Sequence, residues 1–226
     1  MKKFTIKFTV LFLLLAACSP TFCEKVKVYI EPGEVWNKRA PQIAVWVHNE
    51  QSGYEKTLYV TKSASEKGWK FSPKNGRPDS LPVWYAASRT DPSKTDRTRF
   101  DAVSGATPKK GLTAECDFEL KVGRTYIFYA EVNQSFDYNE SFTKKNSGVN
   151  GQPSCVYSGT LTVPQEKDKV SEIKLQLCGT GPLDGTDGDI NTGFLVVIIS
   201  CLCNLDDSRG LSTADTLLLT GNADGA

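Results

Sequence analysis

The sequence predicts an all-β fold, an antiparallel two-sheet β-sandwich of about eight strands with long loops. Apolar residues recur at every second position in segment after segment between Val26 and Cys178, the period of half-buried strands. Clusters of Gly, Pro, Asn and Ser separate those segments and supply the turns. Each segment also keeps a polar face, which suits two packed sheets better than a closed barrel.

Before the first strand, Lys2, Lys3 and Lys7 lead into the apolar stretch from Phe8 to Ala17. A basic segment followed by a short apolar one is the order of an export signal, so residues 1–17 are expected to direct the chain out of the cytosol. Leu15-Ala16-Ala17-Cys18 resembles a bacterial lipobox, in which cleavage precedes the Cys and its sulfur receives lipid. Each buried methylene adds about 0.8 kcal/mol, so acyl chains on Cys18 would hold the domain at a membrane. The alternative is an ordinary secretory signal cut near Thr21 to Cys23. Residues 18–40 are expected to form the anchor linker and first strand, residues 41–178 the sandwich core, and residues 179–226 a Gly-rich loop and apolar carboxyl-terminal segment.

Along the core, strands are expected at Val26 to Ile30, Ile43 to His48, Thr57 to Val60, Val83 to Ala86, Glu115 to Val122, Thr125 to Val132, Val156 to Val163 and Glu172 to Leu177. The clearest is Glu115 to Val122, where Cys116, Phe118, Leu120 and Val122 alternate with Glu115, Asp117, Glu119 and Lys121. Val122-Gly123-Arg124 reads as a hairpin turn. Thr61 to Lys67 is the one plausible helical turn, and Asp91-Pro92 opens a polar loop to Arg99. Phe194 to Leu205 is almost continuously apolar but too short to span a bilayer; it is a last core strand or a loosely packed tail.

Composition excludes some functions. Apolar residues are 39%, aromatic ones 10% and charged ones 23%, enough for a packed core and too much for a disordered chain. A formal charge of +1 excludes nucleic-acid binding by bulk basicity. Losing the three leader lysines leaves 24 basic and 26 acidic residues, and the distribution is uneven: positions 62–110 carry eleven Lys or Arg against five acids. Trp69, Phe71, Trp84 and Tyr85 lie inside that basic stretch, where cation–aromatic interleaving would suit an anionic partner; a solvated face over core tryptophans is the plainer reading.

The seven cysteines at 18, 23, 116, 155, 178, 201 and 203 become six once Cys18 takes lipid. Six permit disulfides in an oxidising compartment, and buried thiols on strands are the alternative. With one His in the chain, no Cys/His metal site is expected. His48 reads as an exposed strand-end imidazole. Glu131, Asn133, Ser135, Asp137 and Asn139 would share one face of a continuing strand, as a polar groove, a Ca²⁺ site or a solvent-facing strand end and Asx turn; oxygen ligands on one straight strand diverge too far to encircle an ion, which favours the last. Asp187, Asp189 and Asn191 imitate a calcium loop, but Ile198 stands at its closing acidic position. No catalytic constellation emerges.

Asp101-Ala102-Val103-Ser104-Gly105-Ala106-Thr107-Pro108 carries the most information. It looks like the flavinylation motif of FMN-binding domains, whose last hydroxyl is esterified by FMN. Asp101, Ser104, Gly105, Ala106 and Thr107 are the candidate cofactor-binding residues, offering small side chains and free amides to a phosphate. Lys109 occupies the usual acceptor position and has no hydroxyl, so attachment would shift to Thr107 or fail. The plain alternative is a tight turn between two strands.

Read in order, Pro41-Gln42-Ile43-Ala44-Val45-Trp46-Val47, Lys56 to Lys62, Gly68-Trp69, Leu81-Pro82-Val83-Trp84, the octapeptide, Ala130 to Asn139 and Val149 to Ser154 resemble domain-of-unknown-function family 2271, over about residues 41–165. The resemblance implies an exported periplasmic or envelope domain without assigned catalysis, keeping company with membrane PepSY-type proteins and flavin-attaching transferases. The expected function is therefore a non-catalytic, lipid-anchored partner of a membrane flavin or redox system. An electron carrier with FMN on Thr107, or a glycan- or peptide-binding module using Trp69 and Trp84, are the alternatives.

Overall fold

The computed structural model describes residues 22–34, 36, 39–65, 76–89, 103–105, 111–164, 170–181 and 195–202. Its strands are β1 (Phe22–Pro32), β2 (Gln42–Asn49), β3 (Gly53–Thr61), β4 (Val103–Gly105), β5 (Leu112–Lys121), β6 (Thr125–Asn133), β7 (Ser154–Thr162), β8 (Val170–Lys174), β9 (Gln176–Gly181) and β10 (Leu195–Leu202). They form a four-stranded sheet, β5-β1-β10-β8, and a six-stranded sheet, β4-β3-β2-β6-β7-β9. Neighbours are antiparallel throughout, except that β4 lies parallel to β3. The antiparallel sandwich expected from the alternation is what the chain forms.

Alternation builds the core directly. Val26, Val28 and Ile30 of β1 face Ile43, Val45 and Val47 of β2 and Phe128, Ala130 and Val132 of β6 across the two sheets. The apolar run near the carboxyl end is a core strand: β10 lies between β1 and β8, and its Val197, Ile199 and Cys201 are buried. Both β1 and β10 lie outside positions 41–178, yet they occupy the middle of the four-stranded sheet.

Several local expectations are corrected. Val83 to Ala86 is helical, within α2 (Pro82–Ser88). Pro82 presets the first helical turn, Leu81, Trp84 and Ser88 are buried at helical spacing, and the Tyr85 N–H reaches the Leu81 carbonyl at 3.0 Å. Glu172 to Leu177 is two strands: Leu175 is buried between them and donates to the Val197 carbonyl at 2.9 Å, so β8 joins one sheet and β9 the other. Val122-Gly123-Arg124 is no hairpin, because β5 and β6 belong to different sheets. Gly123, at φ 74°, turns the chain across the sandwich and donates to the Val163 carbonyl at 2.9 Å. Within the octapeptide, Val103–Gly105 is strand β4, and its other residues lie outside the described ones. The expected helical turn after Thr61 is present as α1 (Lys62–Ser65).

Cys116, Cys155 and Cys201 are buried and Cys178 is exposed, and Cys116 Sγ donates to the Leu58 carbonyl at 3.1 Å. Cys116 and Cys201 both pair with Val26, one on each side of β1. Two strand spacings separate their backbones by roughly 9–10 Å, beyond disulfide reach.

The register gives the sandwich two distinct ends. Phe22 pairs with Lys121 while Ile30 pairs with Leu112. Arg124, just past Lys121, bonds Gln51 in the β2–β3 turn. Phe22 therefore enters beside those two turns. Gln42 pairs with Asn133 and Gly105 with Thr61 at the opposite end, which β1 reaches over a span of roughly 33 Å.

Candidate functional site

That far end gathers most of the segments singled out in the sequence. Thr61 closes β3 beside Gly105, and α1 continues from it. Gln42 Oε1 accepts from Thr61 Oγ1 at 2.9 Å and from Ser63 Oγ at 2.7 Å, while Thr61 Oγ1 accepts the Ile43 N–H at 3.1 Å. The Arg77 N–H donates to the Ala64 carbonyl of α1 at 3.1 Å. Its side chain crosses to the loop after β6, giving Nη1 to Ser135 Oγ at 2.8 Å and Nη2 to Asn150 Oδ1. Asn150 Nδ2 returns to the Asp79 carbonyl at 3.2 Å. The guanidinium is half-buried with neutral hydrogen-bond partners, and burial pulls its pKa down against the opposing charge of Asp79.

The 134–153 loop is internally braced. Gln152 donates its N–H to Asp137 Oδ1 at 2.8 Å and its Nε2 to the Asp137 carbonyl, and Asn133 Nδ2 donates to the Gln152 carbonyl at 2.8 Å. Gly151, at φ 72°, leaves 2.0 Å between an added Cβ and Asp137 Oδ1, so only glycine fits. Burial raises the Asp137 pKa to about 6. Asn133 Oδ1 and Gln134 Oε1 are buried at this end without hydrogen-bond partners, acceptor capacity open to a donor group. Phe136 exposes its ring from the tip of the loop at φ 65°.

Glu131 lies one step inward. Its carboxylate is fully buried, and it receives the Trp84 N–H on Oε2 at 2.7 Å and the Val83 N–H on Oε1 at 3.2 Å. Ser154 Oγ completes the set on Oε1 at 2.5 Å. These donors favour the charged form, but burial outweighs them and raises the pKa to about 7. The carboxyl thus ties the start of α2 to the sheet and satisfies amides that no side-chain cap covers.

The outer face of the six-stranded sheet carries an aromatic layer. Trp46 stacks on Tyr129 with centroids 5.3 Å apart, and its Nε1 donates to His48 Nε2 at 3.2 Å. His48 is half-buried and its pKa is lowered by burial, so the exposed imidazole of the sequence reading is corrected: the ring tilts onto Tyr129 with centroids 5.0 Å apart. Trp84 is buried under α2, with Nε1 on Thr57 Oγ1 at 2.9 Å. A buried indole offers no stacking face, which removes Trp84 from a glycan- or peptide-binding role; Trp69 lies outside the described residues.

Of the five candidate flavin residues, Ser104 and Gly105 are described, as backbone of β4 paired to Val60 and Thr61. Asp101, Ala106 and Thr107 lie outside the described residues, as do Cys18, Cys203 and the Asp187-Asp189-Asn191 run. β4 is the edge strand of its sheet, paired on the β3 side. The alternating polar set is also revised. β6 ends at Asn133, so Ser135, Asp137 and Asn139 do not continue its face, and Glu131 is buried where a solvent-facing position was expected. Asn139 does form an Asx turn, its Oδ1 accepting the Phe142 N–H at 2.8 Å. Among the described residues no group of three or more His, Cys, Asp and Glu is placed to hold a metal, and no helix is long and apolar enough to cross a membrane.

What sequence reasoning missed is Arg77. Only its place within the basic stretch marked it, and its partners are 58 and 73 positions away.

Residues 24–120 match the profile of a family described as predicted periplasmic protein (DUF2271). The match takes in most of β1, all of β2 to β4 and nearly all of β5. No curated protein and no solved structure matches the chain.

Proposed function

We propose that the chain is an exported binding module, held to an envelope membrane through lipid on Cys18, and that it serves a membrane flavin or redox protein without catalysing a reaction itself. The observation that carries this reading is the meeting of three sequence-distant elements at one end of the sandwich. Arg77 is bonded to the backbone of α1, α1 follows the strand that pairs with Ser104-Gly105, and the 134–153 loop closes over the guanidinium. The guanidinium is half-buried and hydrogen-bonded to neutral side chains, with Asp79 the acid acting on it, and its remaining donors suit an anionic group. The periplasmic description of the matched family supports the compartment.

The test is affinity capture of the full-length chain from detergent-solubilised membranes. An integral-membrane flavoprotein should co-purify with the wild type and be lost with Arg77→Gln. Recovery of no such protein would end the reading. A fluorescent flavin band on a denaturing gel would replace it with the covalent electron carrier.

A further inference from the structure

We propose that the tip formed by Phe136 and Val149 is a docking element for an acidic protein segment that stands clear of the anchoring bilayer. The proposal rests on the anchored reading above and adds the surface and the partner's chemistry.

The tip is built to keep an aromatic side chain outside. Phe136 sits at φ 65°, a left-handed conformation that a bulky residue rarely adopts. The conformation is held by its own N–H on the Val149 carbonyl at 3.1 Å. What the strain secures is exposure: Phe136 is 46% exposed and Val149 49%. Tyr138 meets the Phe136 ring edge-on, with centroids 6.3 Å apart, and donates its hydroxyl proton to the Gly148 carbonyl at 2.7 Å. The ring is therefore preorganised.

Charge around the tip selects the partner. The Arg39 guanidinium lies 4.8 Å over the Phe136 ring centre, and Lys144 and Lys145 are exposed on α3 (Lys144–Ser147) of the same loop. Glu140 is the exposed acid in that loop, Asp79 is an exposed acid whose carbonyl meets Asn150 beside the tip, and Asp137 is turned inward to Gln152, so the cations Arg39, Lys144 and Lys145 outnumber the exposed acids. An apolar centre with a basic rim suits a segment that brings carboxylates around an apolar side chain.

Geometry separates this partner from the bilayer. Ser19, Pro20 and Thr21 are all that stand between Cys18 and Phe22, a reach of at most about 14 Å. Phe22 lies at the end carrying the Gln51 and Arg124 turns, and the tip at the other, roughly 30 Å away along the strands. The polar Gln51 end faces the lipid headgroups, and the tip faces protein.

Photoreactive benzoylphenylalanine at Gln51 or at Phe136, in the full-length chain in its native membranes, tests this. We expect phospholipid adducts from position 51. Position 136 should give a protein adduct and no phospholipid adduct, with the protein adduct falling on the order of tenfold when Lys144→Glu and Lys145→Glu are added. A phospholipid adduct at 136, a protein adduct insensitive to the charge reversals, or no adduct at 136 would overturn the proposal. A chain that leaves the membrane fraction and gives no lipid adduct at 51 fails the anchored reading instead, while the charge dependence at 136 still decides the docking surface.

Discussion

Glu131 Oε2 accepts the backbone N–H of Trp84 at 2.7 Å, joining a fully buried carboxyl on β6 to the first turn of a helix 47 positions earlier. Burial raises this carboxyl to about 7 from 4.5. The folded state therefore holds the proton more tightly than the unfolded chain. The stabilisation this provides is complete below about pH 4.5 and is lost as pH rises through about 7. Two and a half pH units correspond to about 3 kcal/mol. Urea midpoints measured from pH 4.5 to 8 should fall with rising pH, and Glu131→Gln should flatten most of that slope. Asp137, raised to about 6 by burial, acts in the same direction, more weakly because it is half-exposed to solvent.

Trp84 anchors α2 by packing as well as by its backbone. Its indole is buried and donates to Thr57 Oγ1 at 2.9 Å. Trp84→Ala should cost about 3–5 kcal/mol. Trp84→Phe should cost about 1–3 kcal/mol, since the Tyr54 hydroxyl, 2.6 Å away, still serves Thr57. Chemical denaturation at pH 5 measures both.

Gly151→Ala places a methyl group 2.0 Å from Asp137 Oδ1 at φ 72°. The expected loss is about 1–3 kcal/mol, concentrated in the loop. Hydrogen exchange should show faster amides at Phe136 and Gln152, with β1 and β10 unchanged.

The thiols should divide by position. Burial raises Cys116 to about 11 and Cys155 to about 12, and Cys201 is buried. Cys178 is exposed. Brief alkylation of the native protein at pH 8, read by peptide mass, should modify Cys178 well ahead of the other three, and denaturation should make all four equal.

The sandwich was legible because its inward residues alternate without interruption, as in Cys116, Phe118 and Leu120 or Phe128, Ala130 and Val132. The α2 segment was not. Val83, Trp84 and Tyr85 are strand-formers by propensity, and Pro82 together with the buried backbone acceptor Glu131 overrides them. The change of sheet at Val122-Gly123-Arg124 was hidden because a glycine turn looks alike whether it joins strands in one sheet or bridges two. At the candidate site, the sequence showed the octapeptide and the loop blocks but not their meeting. That depends on Arg77 reaching Ser135 and Asn150, and no local pattern encodes such distant contacts.

The proposed function requires an exported domain tethered by lipid and working through the end far from its tether. The intact mass of the membrane-extracted protein tests it most directly. It should correspond to a chain beginning at Cys18, carrying acyl groups and no flavin. The unmodified mass of a chain still beginning at Met1, recovered from the cytosol, would contradict it.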